Sequence, residues 1–508
     1  LLQILFAAII LGSSTLSYFA MFLFLMLIVV YIFKDDINAA ISTWKQITKA
    51  SIVIGCTLIS MALFWGVFKV GLLGWVFCLL LIAIIIKSIL KKPVYQKELV
   101  TGLLSSGYVF LLTNHITGEK IFAVLSQKVA KFLSLSDYGA EFLFGNLALK
   151  EYFGPTDTWP GFGFQFGFTV LPVIIFFAAT MSILYHLGVM QLIIKWMARF
   201  MQWTMGTSGA ETLSCTANIF VGQTEAPLLI RPFLDSMTLS ELLTIMVGGF
   251  ATIAGGVLAG YIAMGISAGH LIAASVMSAP AALAVAKIIF PEVEYSKTSG
   301  DVEFPKDLIK STNLLDAASR GVTDGLKLAV NVGAMLIAFI ALIALVDTIL
   351  SVLDRFIDGK LFNGFYGEYA TASGFSPIKG EYSGFFPGSL KTLFGTMFRP
   401  LAWLMGVSWK YAGEVGNLLG IKIALNEFVA YGTLAELIKV GALSEKAAVI
   451  STYALCGFAN FASIGIQIGG IGALAPGRRS DLSKVALKAM FGGAIASWIT
   501  ASIAGILL

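Results

Sequence analysis

The chain has 508 residues, of which 57% are hydrophobic and 12% charged, with a formal net charge of +5; its mean hydropathy is +0.87. This excludes a soluble globular chain and predicts an all-α polytopic membrane protein. The charge balance is small, so its distribution says more than its sign, and no nucleic-acid partner is expected.

Residues 1–12 are apolar but too short to cross alone, and read as a fragment or an interfacial helix. With no basic n-region and no initiator Met, they say nothing about a signal peptide. Apolar runs at about 16–33, 52–69 and 71–86 predict three spans, and the Lys-bearing segments 34–51 and 87–100 fall on the cytoplasmic side by the positive-inside rule. A fourth run, 101–113, then crosses outward. "KIFAVLSQKVAKFLSL" over 119–134 sets Lys120, Lys128 and Lys131 opposite an apolar face, as in an interfacial helix outside. The run 166–187 crosses inward, and "IIKWMARFMQW" lies at the cytoplasmic face. Further spans are expected at about 241–265, 269–289, 326–351, 446–474 and 485–507. Loops 291–325 and 477–484 are rich in Lys and Arg and belong inside; 353–388 belongs outside. Cys56, Cys78, Cys215 and Cys456 have no metal-like spacing and read as small core residues; His115, His186 and His270 read as interfacial. The 52 glycines cluster in apolar segments, favouring close helix packing or broken helices.

Two segments fit no simple span. Parity requires 207–236 to enter and leave from the cytoplasm, and 408–440 from the outside, so both predict re-entrant helical hairpins. Each carries an acidic residue near an amide: "GQTEAP" with Glu225, and "LNEFVAY" with Asn426 and Glu427. Each is followed about thirty positions later by an apolar helix with a polar break. Gly249-Phe250-Ala251-Thr252 aligns with Gly457-Phe458-Ala459-Asn460. Units that begin on opposite sides of the membrane form an inverted repeat, the signature of a secondary transporter with interrupted helices meeting at the midplane. A carboxylate inside a membrane segment is a functional-site hypothesis by default, and Glu225 is expected to face Glu427 across a polar pocket.

"NIFVGQTEAPL", "GFATIAGGVLAGY", "NEFVAY", "YALCGFANFASIGI" and "LAPGRRSDLSKV" together resemble the concentrative nucleoside transporter family over about 120–508. The resemblance implies a homotrimer in the plasma or bacterial inner membrane, with a scaffold part and a mobile transport part. It implies base contacts from Gln223, Thr224 and Glu225, with Val257 lining the pocket, and ribose contacts from Glu427, Asn460 and Ser463, with Phe458 against sugar or base. Amide, hydroxyl and carboxylate groups suit a nucleobase edge, and a carboxylate accepts strong bonds from sugar hydroxyls. The alternative for each is a buried polar group satisfying a broken-helix backbone. Sodium would bind the side-chain oxygens of Asn218 and Thr252 and the backbone carbonyls of Val221 and Ile253; otherwise Thr252 simply bonds a carbonyl one turn earlier. The small Gly222 before the glutamine implies broad or purine-tolerant uptake. Arg231, Arg478 and Arg479 read as cytoplasmic anchors, and Pro227 and Pro476 as helix ends or kinks.

The expected organisation is therefore as follows. Residues 1–100 hold additional N-terminal helices and the first core helix, and 101–206 hold scaffold and interfacial helices. Residues 207–290 form the first repeat; 291–407 supply a cytoplasmic loop, a scaffold helix and an extracellular loop; 408–508 form the second repeat. The expected partners are a nucleoside such as uridine, the coupling cation and the lipid bilayer, with no other cofactor. Proton coupling and an intramembrane enzyme using Glu225 and Glu427 as acid and base are the alternatives.

Overall fold

The computed structural model describes residues 14–32, 118–153, 165–298, 311–362, 364 and 385–508. The expected spans at 52–69, 71–86 and 101–113, and most of the stretch expected outside at 353–388, lie outside the described residues. The chain divides into two compact units, one holding Leu1–Val124 and one holding Leu125–Ile506. Within the first, α1 (Ser14–Ile32) has 19 residues, apolar beyond the Ser14, Thr15 and Ser17 of its first turn. The division falls inside α2 (Gly118–Leu133), where the sequence puts lysines opposite an apolar face.

All regular elements of the second unit are helical among the described residues. After α3 (Ser136–Phe144), which the sequence reading did not anticipate, come α4 (Phe166–His186) and α5 (Val189–Met205). Gly188 and Gly206, with φ of 78° and 68°, bound α5 in the left-handed conformation that only glycine adopts freely. Met190, Ile194, Ala198 and Met201 bury one face of α5, while Leu192 and Trp196 stay exposed.

The first unexpected boundary is α10 (Leu314–Asp354), a single 41-residue helix. It begins twelve residues before the expected span at 326–351, inside the stretch read as loop. Asn313 caps it by accepting from the Asp316 backbone N–H, which is why a charged segment is helical from that point. Its seam against α4 depends on small residues: a Cβ on Gly321 would lie 2.6 Å from the Ala179 Cα, and one on Gly325 2.8 Å from the Ile175 Cα. Two glycines one turn apart let the backbones touch, which replaces the hydrophobic driving force that lipid cannot supply.

Two helical hairpins follow different rules. The first pairs α6 (Gly209–Ala217) with an eleven-residue 3-10 arm, Ala226–Ser236. Pro227 and Pro232 deny that arm backbone donors, and regular α-helix does not form. The second pairs α12 (Trp409–Ala424) with α13 (Glu427–Lys439), separated by two residues. At 1.5 Å per residue, its 16- and 13-residue arms are too short to span a hydrocarbon core of roughly 30 Å. Before it, α11 (Leu390–Leu404) packs on α12 through Gly416, whose Cβ would lie 2.9 Å from the Arg399 nitrogen.

The remaining helices form two broken pairs and their followers. The expected run 241–265 is α7 (Leu239–Ala251) and α8 (Gly255–Ala263), followed by α9 (Ala268–Ile289). The run 446–474 is α14 (Glu445–Leu455) and α15 (Phe461–Leu474), followed by α16 (Arg479–Leu507), which starts six residues earlier than expected. In α7 every residue from Ser240 to Ala251 is buried, the apolar ones in the core and Ser240, Glu241 and Thr244 with hydrogen-bond partners. Phe250, Met246, Leu243, Ala286 and Met490 share the core around it.

Among the described residues, five helical stretches are long and apolar enough to cross a membrane: Phe166–His186, Leu239–Ala263 (α7 and α8 together), Ala268–Ile289, Leu314–Leu361 and Pro476–Leu507. The first hairpin is pinned at both ends. Capping boxes at Ser208/Glu211 and Thr238/Glu241 start α6 and α7, and Lys287 of α9 pairs with Glu211 at 2.8 Å. Arg478, expected as a simple anchor, donates to the carbonyls of Leu234, Asp235 and Met237 at 3.4, 3.0 and 2.6 Å, closing the 3-10 arm.

Candidate functional site: two helix breaks and two hairpin tips

The two interrupted helices meet at their interruptions. Thr252 is extended, with φ −114° and ψ 165°, and α8 restarts two residues after Ile253. In the other pair, Gly457 adopts φ +125°, and a Cβ there would lie 2.5 Å from the Phe250 carbonyl oxygen and 2.8 Å from that of Ala251. Only glycine fits that point. A helix end leaves backbone donors and acceptors without intrahelical partners. Asn460 answers this for α15 by accepting from the Ser463 N–H at 2.8 Å. For α8, the hairpin tip answers, with the Gly255 N–H donating to the Phe220 carbonyl at 3.1 Å.

Around this junction the structure assembles two polar clusters. In the first, the Gln223 amide donates to the Ser463 hydroxyl at 3.2 Å and accepts from Gln467 Nε2 at 2.9 Å. Gln467 also donates to the Met246 carbonyl at 3.2 Å, so one amide fixes the orientation of another against α7. A Cβ on Gly249 would meet both side chains, at 2.7 Å from Gln467 Nε2 and 3.0 Å from the Gln223 Cβ. In the second cluster, Glu427 opens α13 and accepts from Tyr261 at 3.2 Å and from the Asn460 amide at 3.1 Å. Asn426 caps the same helix by accepting from the Val429 N–H at 2.9 Å. Tyr261 stacks on Tyr431, with ring centroids 4.2 Å apart, and Tyr431 donates to the Thr452 carbonyl at 2.7 Å.

The residues singled out from sequence therefore separate into groups. Gln223 meets Ser463, and Glu427 meets Asn460, bridging each hairpin to α15. Val257 is buried in α8, and Phe458 is half-buried in the break before α15. Thr224 packs its methyl on Gly470, whose added Cβ would lie 2.7 Å away. Glu225 stands apart from this bonded network: it is exposed, and its carboxylate folds back over Gly222. At the tip of the first hairpin, Asn218 is 1% exposed, yet neither its amide oxygen nor its nitrogen has a partner. Thr252 donates to the Gly248 carbonyl at 2.8 Å, the turn-earlier bond, which leaves its lone pairs to accept or coordinate. Ile253 is fully buried within the break and Val221 half-buried at the tip. A buried amide with two idle polar atoms is costly, by about 1–3 kcal/mol, and its oxygen is the donor a hard cation takes.

Three residues escaped the sequence reading. Gln467 lies four positions after Ser463 in α15, so the two share a helix face. Tyr261 stands in the same relation to Val257 in α8. Lys422 is an ionisable residue within the apolar second hairpin, and it is fully buried. Each was a polar residue in an apolar run, and each needed a partner from another element before its role was visible.

A helical membrane protein whose broken helices and hairpin tips bring amides, hydroxyls and a carboxylate to one buried junction is a secondary transporter. The comparisons give the family. Residues 270–505 match the family described as Na+ dependent nucleoside transporter C-terminus, and residues 167–268 match that described as nucleoside recognition. An uncharacterized transporter of Haemophilus influenzae is 41% identical over 82% of this chain and 93% of its own length. Sodium/nucleoside cotransporter 1 of Rattus norvegicus is 44% identical over 76% of this chain, which spans 56% of that longer protein. A solved structure of CNTnw, in an inward-facing substrate-bound state, matches with 39% identity and a TM-score of 0.66, covering 77% of this chain and 86% of that one. The chain belongs to the concentrative nucleoside transporter family.

Proposed function

We infer that the protein is a symporter that carries nucleosides with sodium across a membrane by alternating access, and that it catalyses no chemical reaction. The observation that carries this reading is the pair of bridges from the two hairpins to α15: Gln223 to Ser463, and Glu427 to Asn460. An amide on one hairpin and a carboxylate on the other, each tied to α15, support this reading, because a nucleobase edge suits an amide and sugar hydroxyls suit a carboxylate acceptor. An arriving nucleoside exchanges these internal bonds for its own.

In this reading Gln223, Thr224 and Glu225 take the base, with Val257 along the wall, while Glu427, Asn460 and Ser463 take the ribose and Phe458 packs on it. Sodium takes the Asn218 amide oxygen, the Thr252 hydroxyl oxygen and the carbonyls of Val221 and Ile253. The short hairpin arms are re-entrant from opposite faces, and 207–290 and 408–508 are inverted repeats. The chain works as a homotrimer in the plasma membrane or bacterial inner membrane. The presence of sodium/nucleoside cotransporters among its relatives supports the choice of ion. Uptake of labelled uridine into proteoliposomes is the test, with sodium and proton gradients imposed separately. Accumulation under a sodium gradient alone is expected; accumulation under a proton gradient alone would move the coupling to protons, and none under either would remove the function.

A further inference from the structure

We propose that Gln467 locks Gln223 as a hydrogen-bond donor, and that the locked amide reads the base acceptor lying beside the sugar, which pyrimidines and purines share. This rests on the reading of Gln223 as a base contact and of Ser463 as a ribose contact. Gln467 lies in α15, fully buried, and its Nε2 stands 3.2 Å from the Met246 carbonyl and 2.9 Å from Gln223 Oε1. A backbone carbonyl only accepts, so the Gln467 atom beside it is the nitrogen. Turning the amide over would set its oxygen, which has no partner among the described residues, against that carbonyl. Acceptor would then face acceptor. Both Gln467 N–H groups are therefore spent, one on Met246 and one on Gln223.

That order propagates along the row. Gln223 accepts from Gln467 at its oxygen, so its nitrogen is the atom 3.2 Å from the Ser463 hydroxyl. An amide nitrogen carries two hydrogens, and Ser463 takes one of them. From the other end, the Ser463 N–H fills the Asn460 oxygen at 2.8 Å, and the Asn460 amide nitrogen donates to Glu427 at 3.1 Å. Gln223, Ser463 and Asn460 thus keep hydrogens to offer a ligand, and Glu427 supplies the acceptor. Met246 anchors the row within α7, whose buried run ends at the helix break.

Position selects the edge that is read. Gln223 and Ser463 are one hydrogen bond apart, so they cannot serve opposite ends of a nucleoside. With Ser463 on a ribose hydroxyl, Gln223 meets the base acceptor nearest the glycosidic bond. In a pyrimidine that acceptor is O2 and in a purine N3, so one donor serves both. The far edge, where bases differ in donors and acceptors, is left to Thr224 and Glu225. Gln467 is then a positioning residue that sets specificity through Gln223.

Equilibrium binding of 2-thiouridine and 4-thiouridine to the purified full chain in saturating sodium tests this. Sulfur adds the same bulk at either carbonyl and accepts hydrogen bonds more weakly than oxygen, so a difference between the two reports which edge is read. In the wild type, 2-thiouridine should bind roughly fivefold or more weakly than 4-thiouridine, the loss of one hydrogen bond. Gln467→Glu puts an oxygen where the nitrogen stood. That oxygen cannot donate to both neighbours, as the amide does; it accepts from Gln223 and turns the Gln223 oxygen toward Ser463. The two thionucleosides should then bind within about twofold of each other. Equal affinities in the wild type, or a difference that survives in Gln467→Glu, would overturn the proposal, and the wild-type comparison decides alone if the variant does not fold. Unchanged uridine affinity in Gln223→Leu would instead remove the reading of Gln223 as a base contact.

Discussion

The two hairpins are made from similar ingredients and finished differently. The second has two regular helices, a two-residue tip capped by Asn426, and a carboxylate with two hydrogen-bond donors. The first has a nine-residue helix, a 3-10 return arm bent by two prolines, and an eight-residue tip that leaves Asn218 unpartnered and Glu225 exposed. A hairpin whose tip groups are already bonded presents a fixed surface there. One with idle groups is completed by what binds. Nucleoside affinity should therefore depend on the second hairpin whatever the ion, while ion dependence should reside in the first.

The largest effect should come from the point where the halves touch. Gly457→Ala places a Cβ against the Phe250 and Ala251 carbonyls at a backbone angle side chains avoid. Strain there costs on the order of 1–3 kcal/mol before the steric clash is counted. Uridine uptake should be lost, with a lowered melting temperature; normal uptake would mean that the two breaks are not packed as described.

Next, Glu427→Gln removes a charged acceptor while keeping its shape. Charge-assisted bonds contribute about 1.5–3 kcal/mol, so uridine affinity should fall roughly ten- to a hundredfold, equally in low and saturating sodium. An unchanged half-saturation concentration would sink the ribose assignment. Asn218→Leu should do the reverse. It removes a buried amide that has no partner, so the sodium-free protein should be more stable by on the order of 1 kcal/mol. Uridine binding should at the same time lose its response to sodium. A destabilised variant with normal sodium response would make Asn218 a purely structural residue.

Smaller changes sharpen the division. Thr252→Val should raise the sodium concentration needed for uptake several-fold, with near-normal nucleoside affinity at saturation. Gln467→Met frees the Gln223 amide to turn, and should weaken uridine binding by about 1 kcal/mol, close to the value of one neutral hydrogen bond. The mildest is Gly222→Ser: its Cβ would displace the Glu225 carboxylate, which folds over that position. Stability should hardly change, and the ratio of purine to pyrimidine uptake should fall in competition assays.

The sequence by itself determined the class, the apolar runs and the two anomalous segments, because hydropathy and charge placement are local properties that a bilayer reads directly. It also marked Glu225 and Glu427, since a carboxylate in an apolar run needs a reason. It did not mark Lys422, Gln467 or Tyr261, whose meaning depends on the partners they meet: the Ala454 carbonyl, Gln223 and Glu427. Helix limits were missed for a similar reason. The 41-residue α10 starts in a charged stretch because Asn313 caps it and glycines seat it on α4, and neither effect appears in a hydropathy profile. Only the tertiary structure decided that Glu427 lies within a bonded cluster while Glu225 folds over Gly222, though both had looked alike in the repeat. Repetition in sequence records common ingredients; which groups are satisfied depends on packing, and packing brings together residues far apart in the chain.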